Sequence, residues 1–155
     1  WALNPYYSGY GKATAIENRR AKGMKVIVID PKITPAVERL CDLYLRPYPG
    51  TDGALALCMG NILIENGWID EPYIEKYVHG FAQYKEYVKQ FTISETAKIC
   101  QIEESMIQDA CDLLKNAGGP ITIRVSPCAS TRTVHRSRIT KTDSRIIVRS
   151  WRCLH

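Results

Sequence analysis

The chain has 155 residues, 45% of them hydrophobic and 24% charged, which is enough for one domain with a real core and excludes a wholly disordered chain. Its net charge of +5 is unevenly held: residues 1–117 carry 13 Lys/Arg against 15 Asp/Glu, and residues 118–155 carry 8 against the single acid Asp143. A nucleic-acid partner would rest on the last quarter alone and is disfavoured. No apolar run approaches the length of a membrane span and no signal-peptide pattern opens the chain, so no transmembrane helix is expected within it. The sequence starts at Trp1-Ala-Leu-Asn-Pro5 without an initiator Met, and we expect a piece of a longer polypeptide.

In chain order, Lys12 to Lys22 predicts a polar, solvent-facing helix stopped by Gly23. Lys25 to Ile29 is a short β-branched run, expected as a strand buried on both faces of a parallel sheet and ended by Asp30-Pro31. Leu43 to Leu45 is a second short extended piece. It leads through Arg46-Pro-Tyr-Pro-Gly50 to a helix with Thr51 as N-cap, apolar at Leu55, Met59, Ile62 and Leu63 and closed by Gly67. Asp70 caps a helix through Tyr77, stopped at Gly80. Thr92 and Glu95 have capping-box spacing for a helix ending near Cys100. An amphipathic helix from Glu103 to Asn116 closes at Gly118-Gly119, and Pro120 to Val125 reads as a further strand. The order implies an α/β domain over residues 1–125 with a mainly parallel, Rossmann-like sheet, incomplete at its N-terminus.

After Val125 the pattern stops. Residues 126–155 are rich in Arg, Ser and Thr with no sustained period. Three readings stand: a disordered basic tail, a nucleic-acid arm, or sequence read out of its original frame. The abrupt change of composition favours the last.

The six cysteines form no C-x-x-C pair, so neither a zinc knuckle nor an iron–sulfur ligand set is visible. Cys58 shares a helical face with Leu55, Met59 and Ile62, and Cys111 with Ile107 and Leu114. Both read as core residues. The three histidines lie near no recognisable nucleophile motif, and we assign no catalytic residue.

Polar groups that suit a nucleotide cluster where strands of an α/β sheet end. Asn4 and Ser8, with the backbone around Pro5, are able to cup a phosphate. Asp30 is placed to accept from ribose hydroxyls. Gly50-Thr51-Asp52 offers a carboxylate able to accept from both N–H groups of the guanine edge. Each has a plainer account: a turn at Asn4-Pro5, a strand terminator at Asp30-Pro31, and a favourable helix-dipole charge at Asp52. Their order and spacing together carry more than any one of them.

Taken jointly, these residues resemble the dimethyl-sulfoxide-reductase family of molybdopterin oxidoreductases. That family runs W-G-x-N-P, then an apolar strand ending I-D-P-R-x-T, then A-D-x-x-L-x-x-R-P-G-T-D-x-A-L, then D-x-x-F-I-x-x-y-x-x-G-F. This chain has Trp1-Ala-Leu-Asn-Pro5, Val28-Ile-Asp-Pro-Lys-Ile-Thr34, Cys41 through Arg46-Pro-Tyr-Pro-Gly-Thr-Asp52 to Leu55, and Asp70 to Phe81, so the match runs from residue 1 to about residue 123. The resemblance implies a bis-molybdopterin guanine dinucleotide cofactor carrying molybdenum or tungsten. Trp1, Leu3, Asn4, Pro5 and Ser8 are then expected around the phosphates and ribose of one dinucleotide, Asp30, Pro31, Lys32 and Thr34 at its ribose and guanine end, and Gly50, Thr51 and Asp52 at the guanine itself. Ala2 stands for the usual Gly, and Lys32 for the usual Arg, keeping charge but losing the bidentate fork. The family's metal ligand and any 4Fe–4S cluster motif lie upstream of the matched region. The expected partners are therefore the remainder of a catalytic subunit and an electron-transfer subunit. The competing expectation is a stand-alone nucleotide-binding module whose basic tail contacts nucleic acid.

Overall fold

The computed structural model describes residues 5–6, 12–117, 121–123, 138–142 and 145–149. Helix α1 (Lys12–Arg20) precedes strand β1 (Ile27–Ile29), the short helix α2 (Pro35–Leu40) and strand β2 (Leu43–Leu45). Five helices follow: α3 (Asp52–Glu65), α4 (Glu71–Tyr77), α5 (Phe81–Val88), α6 (Ile93–Cys100) and α7 (Glu104–Lys115). The chain is thus mostly helical, with β1 and β2 pairing in parallel, Ile27 opposite Leu43, Val28 opposite Tyr44 and Ile29 opposite Leu45. Parallel strands need a crossover connection, usually helical, and α2 lies in the one between β1 and β2. Its proline at the first turn presets φ where no N–H is required.

One core holds these elements together. Ile29 and Leu45 from the strands meet Leu55 and Cys58 of α3, Cys100 of α6 and Ile107 of α7. Leu55 is fully buried, and truncating such a side chain to alanine typically costs about 2–5 kcal/mol. The cysteines expected in the core are there: Cys58 and Cys111 are fully buried. Burial pushes the Cys111 thiol up to about 12, which keeps it protonated and unreactive.

Local signals set several boundaries. Asp70 accepts a hydrogen bond from the Tyr73 amide at 3.1 Å, and Thr92 accepts from the Glu95 amide at 3.3 Å, as capping-box spacing predicts. At the end of α3 the Trp68 amide donates to the Leu63 carbonyl (2.8 Å) and the Gly67 amide to that of Ile64 (3.1 Å). This is a Schellman closure, in which Gly67 takes φ +66° without a side-chain penalty. Trp68 then packs on Leu63.

Other expectations are corrected. The first strand is not buried on both faces: Ile29 is buried and Ile27, on the same face, packs partly against the core, while Val28 on the other face is half-buried, and β2 is the sole strand paired to it among the described residues. Residues 121–123 carry no strand; Ile121 and Ile123 instead pack beside Leu63. Helix α4 ends at Tyr77 as expected, with Val78 as its C-cap, but Gly80 does not close it; Gly80 is the left-handed N-cap of α5, a helix not separately expected because glycine there gives no Ser/Thr/Asp start signal. Thr51 sits at the N-cap position of α3 but makes no side-chain cap. In the region without sustained period, β3 (Arg138–Thr142) pairs antiparallel with β4 (Arg145–Arg149). No strand pair was expected there.

Candidate functional site

The parallel pairing of β1 and β2 brings two of the three expected loops out at the same end of the sheet. The ladder runs one step past the strands, the Asp30 amide donating to the Leu45 carbonyl at 3.2 Å. Pro31 then removes the next donor and the backbone pairing stops. Two β2-side side chains take over. The Tyr44 hydroxyl donates to the Asp30 carbonyl at 2.8 Å, and Arg46 Nε donates to the Pro31 carbonyl at 3.1 Å. Burial raises the Tyr44 phenol above its ordinary value, against the lowering effect of Arg46, so the hydroxyl remains a donor throughout the physiological range.

The Asp30 side chain folds back on its own loop, Oδ1 accepting from the Lys32 amide at 2.9 Å. This is an Asx turn. Among the described residues nothing donates to Oδ2, which leaves half of the carboxylate's acceptor capacity available. Thr34, at the start of α2, has a buried hydroxyl with no hydrogen-bond partner. A buried hydroxyl without a partner costs about 1–3 kcal/mol, and such groups in native structures point to a missing ligand atom or water. The Lys32 side chain is exposed.

The second loop is anchored from below. The Tyr48 amide donates to the Cys100 carbonyl at 2.8 Å, and Cys100 Sγ donates to the Thr51 carbonyl at 3.6 Å. The Thr51 hydroxyl turns back to the Tyr48 carbonyl at 2.7 Å, which is why it does not cap α3. Gly50 supports this tight turn with φ +88° and nothing near the position a Cβ would take. The turn delivers Asp52 as the first residue of α3.

Of the first expected loop, Trp1, Leu3, Asn4 and Ser8 lie outside the described residues. Pro5 is buried. The neighbouring Tyr6 donates to Glu17 Oε1 at 2.6 Å and lies under the Arg39 guanidinium, 5.4 Å from its ring centre, so this segment is tied to α1 and α2. Sequence reasoning gave no role to Tyr44 or Arg46. The local signal was the proline itself, whose missing N–H leaves strand-end carbonyls in want of a side-chain donor.

A cleft of about 350 Å³ opens elsewhere, lined by Glu17, Arg20, Gly23, Lys25 and Asp42 among others. Lys25 and Asp42 precede the two strands, so this cleft lies at the opposite end of the sheet from the loops. Its central charges already pair with one another, Asp42 with Arg20 at 3.1 Å and with Lys25 at 3.5 Å. Among the described residues no helix is long and apolar enough to cross a membrane.

Comparison with known proteins adds independent information. No family model matches the chain. It is similar to the F420-dependent formate dehydrogenase subunit alpha of Methanocaldococcus jannaschii, 35% identical over 105 residues, which is 68% of this chain and 16% of that protein. It is also similar to the dimethyl sulfoxide/trimethylamine N-oxide reductase of Rhodobacter capsulatus, 33% identical over 96 residues, which is 57% of this chain and 12% of that protein. Among solved structures it resembles acetylene hydratase from Pelobacter acetylenicus, with a TM-score of 0.68 and 28% identity over 74% of this chain and 16% of that one. The chain therefore spans less than a fifth of the length of these relatives.

Proposed function

Because this chain belongs to the dimethyl-sulfoxide-reductase family of molybdopterin oxidoreductases, we propose that residues 1–125 form part of the cofactor-binding domain of a molybdenum or tungsten oxidoreductase catalytic subunit, gripping one guanine dinucleotide end of a bis-molybdopterin cofactor. In this reading β1 and β2 belong to a larger, mainly parallel, Rossmann-like sheet, and residues 126–155 stand apart from that domain. The metal ligand and any 4Fe–4S cluster come from other segments of the subunit, so this chain serves binding and not turnover. Its partners are those segments and an electron-transfer subunit.

The observation that carries the reading is the unpaired, buried Thr34 hydroxyl, four residues on from a half-engaged Asp30 carboxylate, in the loop that leaves a strand end where α/β sheets take nucleotides. The polar groups fit the proposed ligand. Asp30 Oδ2 accepts from a ribose hydroxyl, and the Thr34 hydroxyl donates to a ribose or phosphate oxygen. The Asp52 carboxylate is the group we assign to the guanine ring N–H and exocyclic amine, because a carboxylate is an acceptor with several lone-pair sites. The segment holding Trp1, Leu3, Asn4, Pro5 and Ser8 wraps the phosphates, and Lys32 adds positive charge near them. When bound, the cofactor supplies a metal centre held between pterin dithiolenes, where oxygen atoms or electrons are transferred.

The test is recognition of the base. Asp52→Asn keeps the shape but turns one acceptor into a donor that faces the guanine amine. Hydrogen bonds to charged groups contribute about 1.5–3 kcal/mol, so guanosine diphosphate should bind at least tenfold more weakly. Xanthosine diphosphate, which carries a carbonyl in place of that amine, should bind better. Titration calorimetry on both nucleotides measures this, with circular dichroism to show that α3 is retained. A variant that still prefers guanosine over xanthosine diphosphate would reduce Asp52 to a helix-start residue.

A further inference from the structure

Two side chains from the second strand region grip successive carbonyls of the first strand's exit: the Tyr44 hydroxyl on Asp30 (2.8 Å) and Arg46 Nε on Pro31 (3.1 Å). We infer that Tyr44 and Arg46 are positioning residues that lock the Asp30–Thr34 loop to the Arg46–Asp52 loop, so that the two polar loops form one preorganised nucleotide site. The inference rests on the nucleotide-binding reading above and deepens it.

The physical need for such a lock follows from Pro31. A strand leaving a sheet through proline cannot continue the ladder, and its carbonyls must find other donors or face water. Here the Asp30 peptide is held from both sides, its amide by Leu45 and its carbonyl by Tyr44. With its backbone fixed, the Asp30 side chain can close the turn to the Lys32 amide and hold Oδ2 in one place. Arg46 fixes the next carbonyl through Nε alone, so the rest of its guanidinium keeps four N–H donors. Since Arg46 is joined to Asp52 through a turn that is itself bound to Cys100 and Tyr48, the geometry of one loop is transmitted to the other through covalent and hydrogen-bonded links. Preorganisation of this kind raises affinity by sparing the loops the entropy of ordering on binding.

Tyr44 lies behind the loop on β2 and, in this arrangement, contributes to affinity without touching the nucleotide. Phenylalanine preserves its ring and removes only the donor. A lysine at 46 retains charge and one donor to Pro31, whereas methionine retains only the stem.

The experiment uses the whole 155-residue chain and guanosine diphosphate as probe. Calorimetry gives affinity, NMR hydrogen exchange reports the Lys32 amide, and thermal melts report the fold. Tyr44→Phe should weaken binding about fivefold, one neutral hydrogen bond's worth, and speed exchange at Lys32 while amides of α6 and α7 keep their protection. Arg46→Met should do the same, and Arg46→Lys should recover part of the loss. A role confined to overall stability would lower the melting temperature and leave Lys32 exchange, measured well below the melt, unchanged. If the unaltered chain binds guanosine diphosphate but Tyr44→Phe and Arg46→Met bind it within twofold of normal, the positioning inference fails alone. If the unaltered chain shows no preference for guanosine over adenosine diphosphate, the nucleotide reading fails and takes this inference with it.

Discussion

Asp42 holds Arg20 by both carboxylate oxygens, Arg20 Nη2 donating to Oδ1 at 3.1 Å and Nε to Oδ2 at 3.3 Å. The same carboxylate accepts from the Val26 amide at 2.8 Å, so one side chain ties the end of α1 to the starts of both strands. Burial works against ionisation of Asp42, but Arg20, the Val26 amide and Lys25 outweigh it and hold the carboxyl below its ordinary value. A folded-state value lower than the unfolded one stabilises the fold above the unfolded pKa, near 4, and that contribution is lost as pH falls through the folded value. Asp42→Asn should therefore lower the melting temperature by a few degrees at pH 7 and flatten its decline in acid. Identical acid limbs for the two proteins would show that Asp42 does not carry this linkage.

Thr34→Val replaces a hydroxyl by a methyl of the same shape. The hydroxyl is buried and unpaired, so the variant should be as stable as the original or more stable by about 1 kcal/mol. If the proposed nucleotide site holds, binding of guanosine diphosphate should fall several-fold, since that reading has the ligand supply the hydroxyl's partner. Urea titration and calorimetry read the two effects separately. A variant destabilised by more than 1 kcal/mol in the free state would mean that the hydroxyl already serves the fold.

Gly60, in the middle of α3, lies directly beneath the hydroxyl of Tyr84 from α5, which occupies the space a Cβ would need. Alanine normally helps a helix by about 1 kcal/mol over glycine, but here it displaces a largely buried ring. Gly60→Ala should cost about 1–3 kcal/mol through overpacking. Shortening the ring in Gly60→Ala/Tyr84→Phe should return part of this, giving a coupling energy above about 0.5 kcal/mol in a double-mutant cycle. Additive effects would place the two residues out of contact.

Thiol labelling should be ordered by exposure. Cys58, Cys100 and Cys111 are buried and Cys41 is partly exposed. Burial raises all four thiols, Cys111 to about 12, so the thiolate that reacts is scarce near neutral pH. With iodoacetamide at pH 8, mass spectrometry should find Cys41 modified first among these four described cysteines, and the other three only on unfolding. Early modification of Cys111 would contradict the packing of α7 on α3.

The local grammar of the sequence determined much of this protein. The Asp70 cap, the Thr92–Glu95 capping box, the Gly67 stop and the β-branched run ending at Pro31 each act within a few residues. Their outcome is therefore fixed wherever the chain goes. The joint order of Asn4-Pro5, Asp30-Pro31 and Gly50-Thr51-Asp52 carried the family resemblance, and members of that family are 35% and 33% identical to the chain over 105 and 96 residues. Tertiary structure decided what depends on residues distant in the chain. Val28 is half-buried, and only β2 pairs with its strand among the described residues. Thr51 does not cap α3 because its hydroxyl is turned away to donate to the carbonyl of Tyr48, itself fixed by Cys100. Tyr44 and Arg46 met Asp30 and Pro31 only once the two strands had aligned in parallel, setting residues 14 and 15 positions apart side by side. No period or cap records such a pairing, because the missing proline donor shows that a carbonyl needs a partner without showing which side chain will supply it.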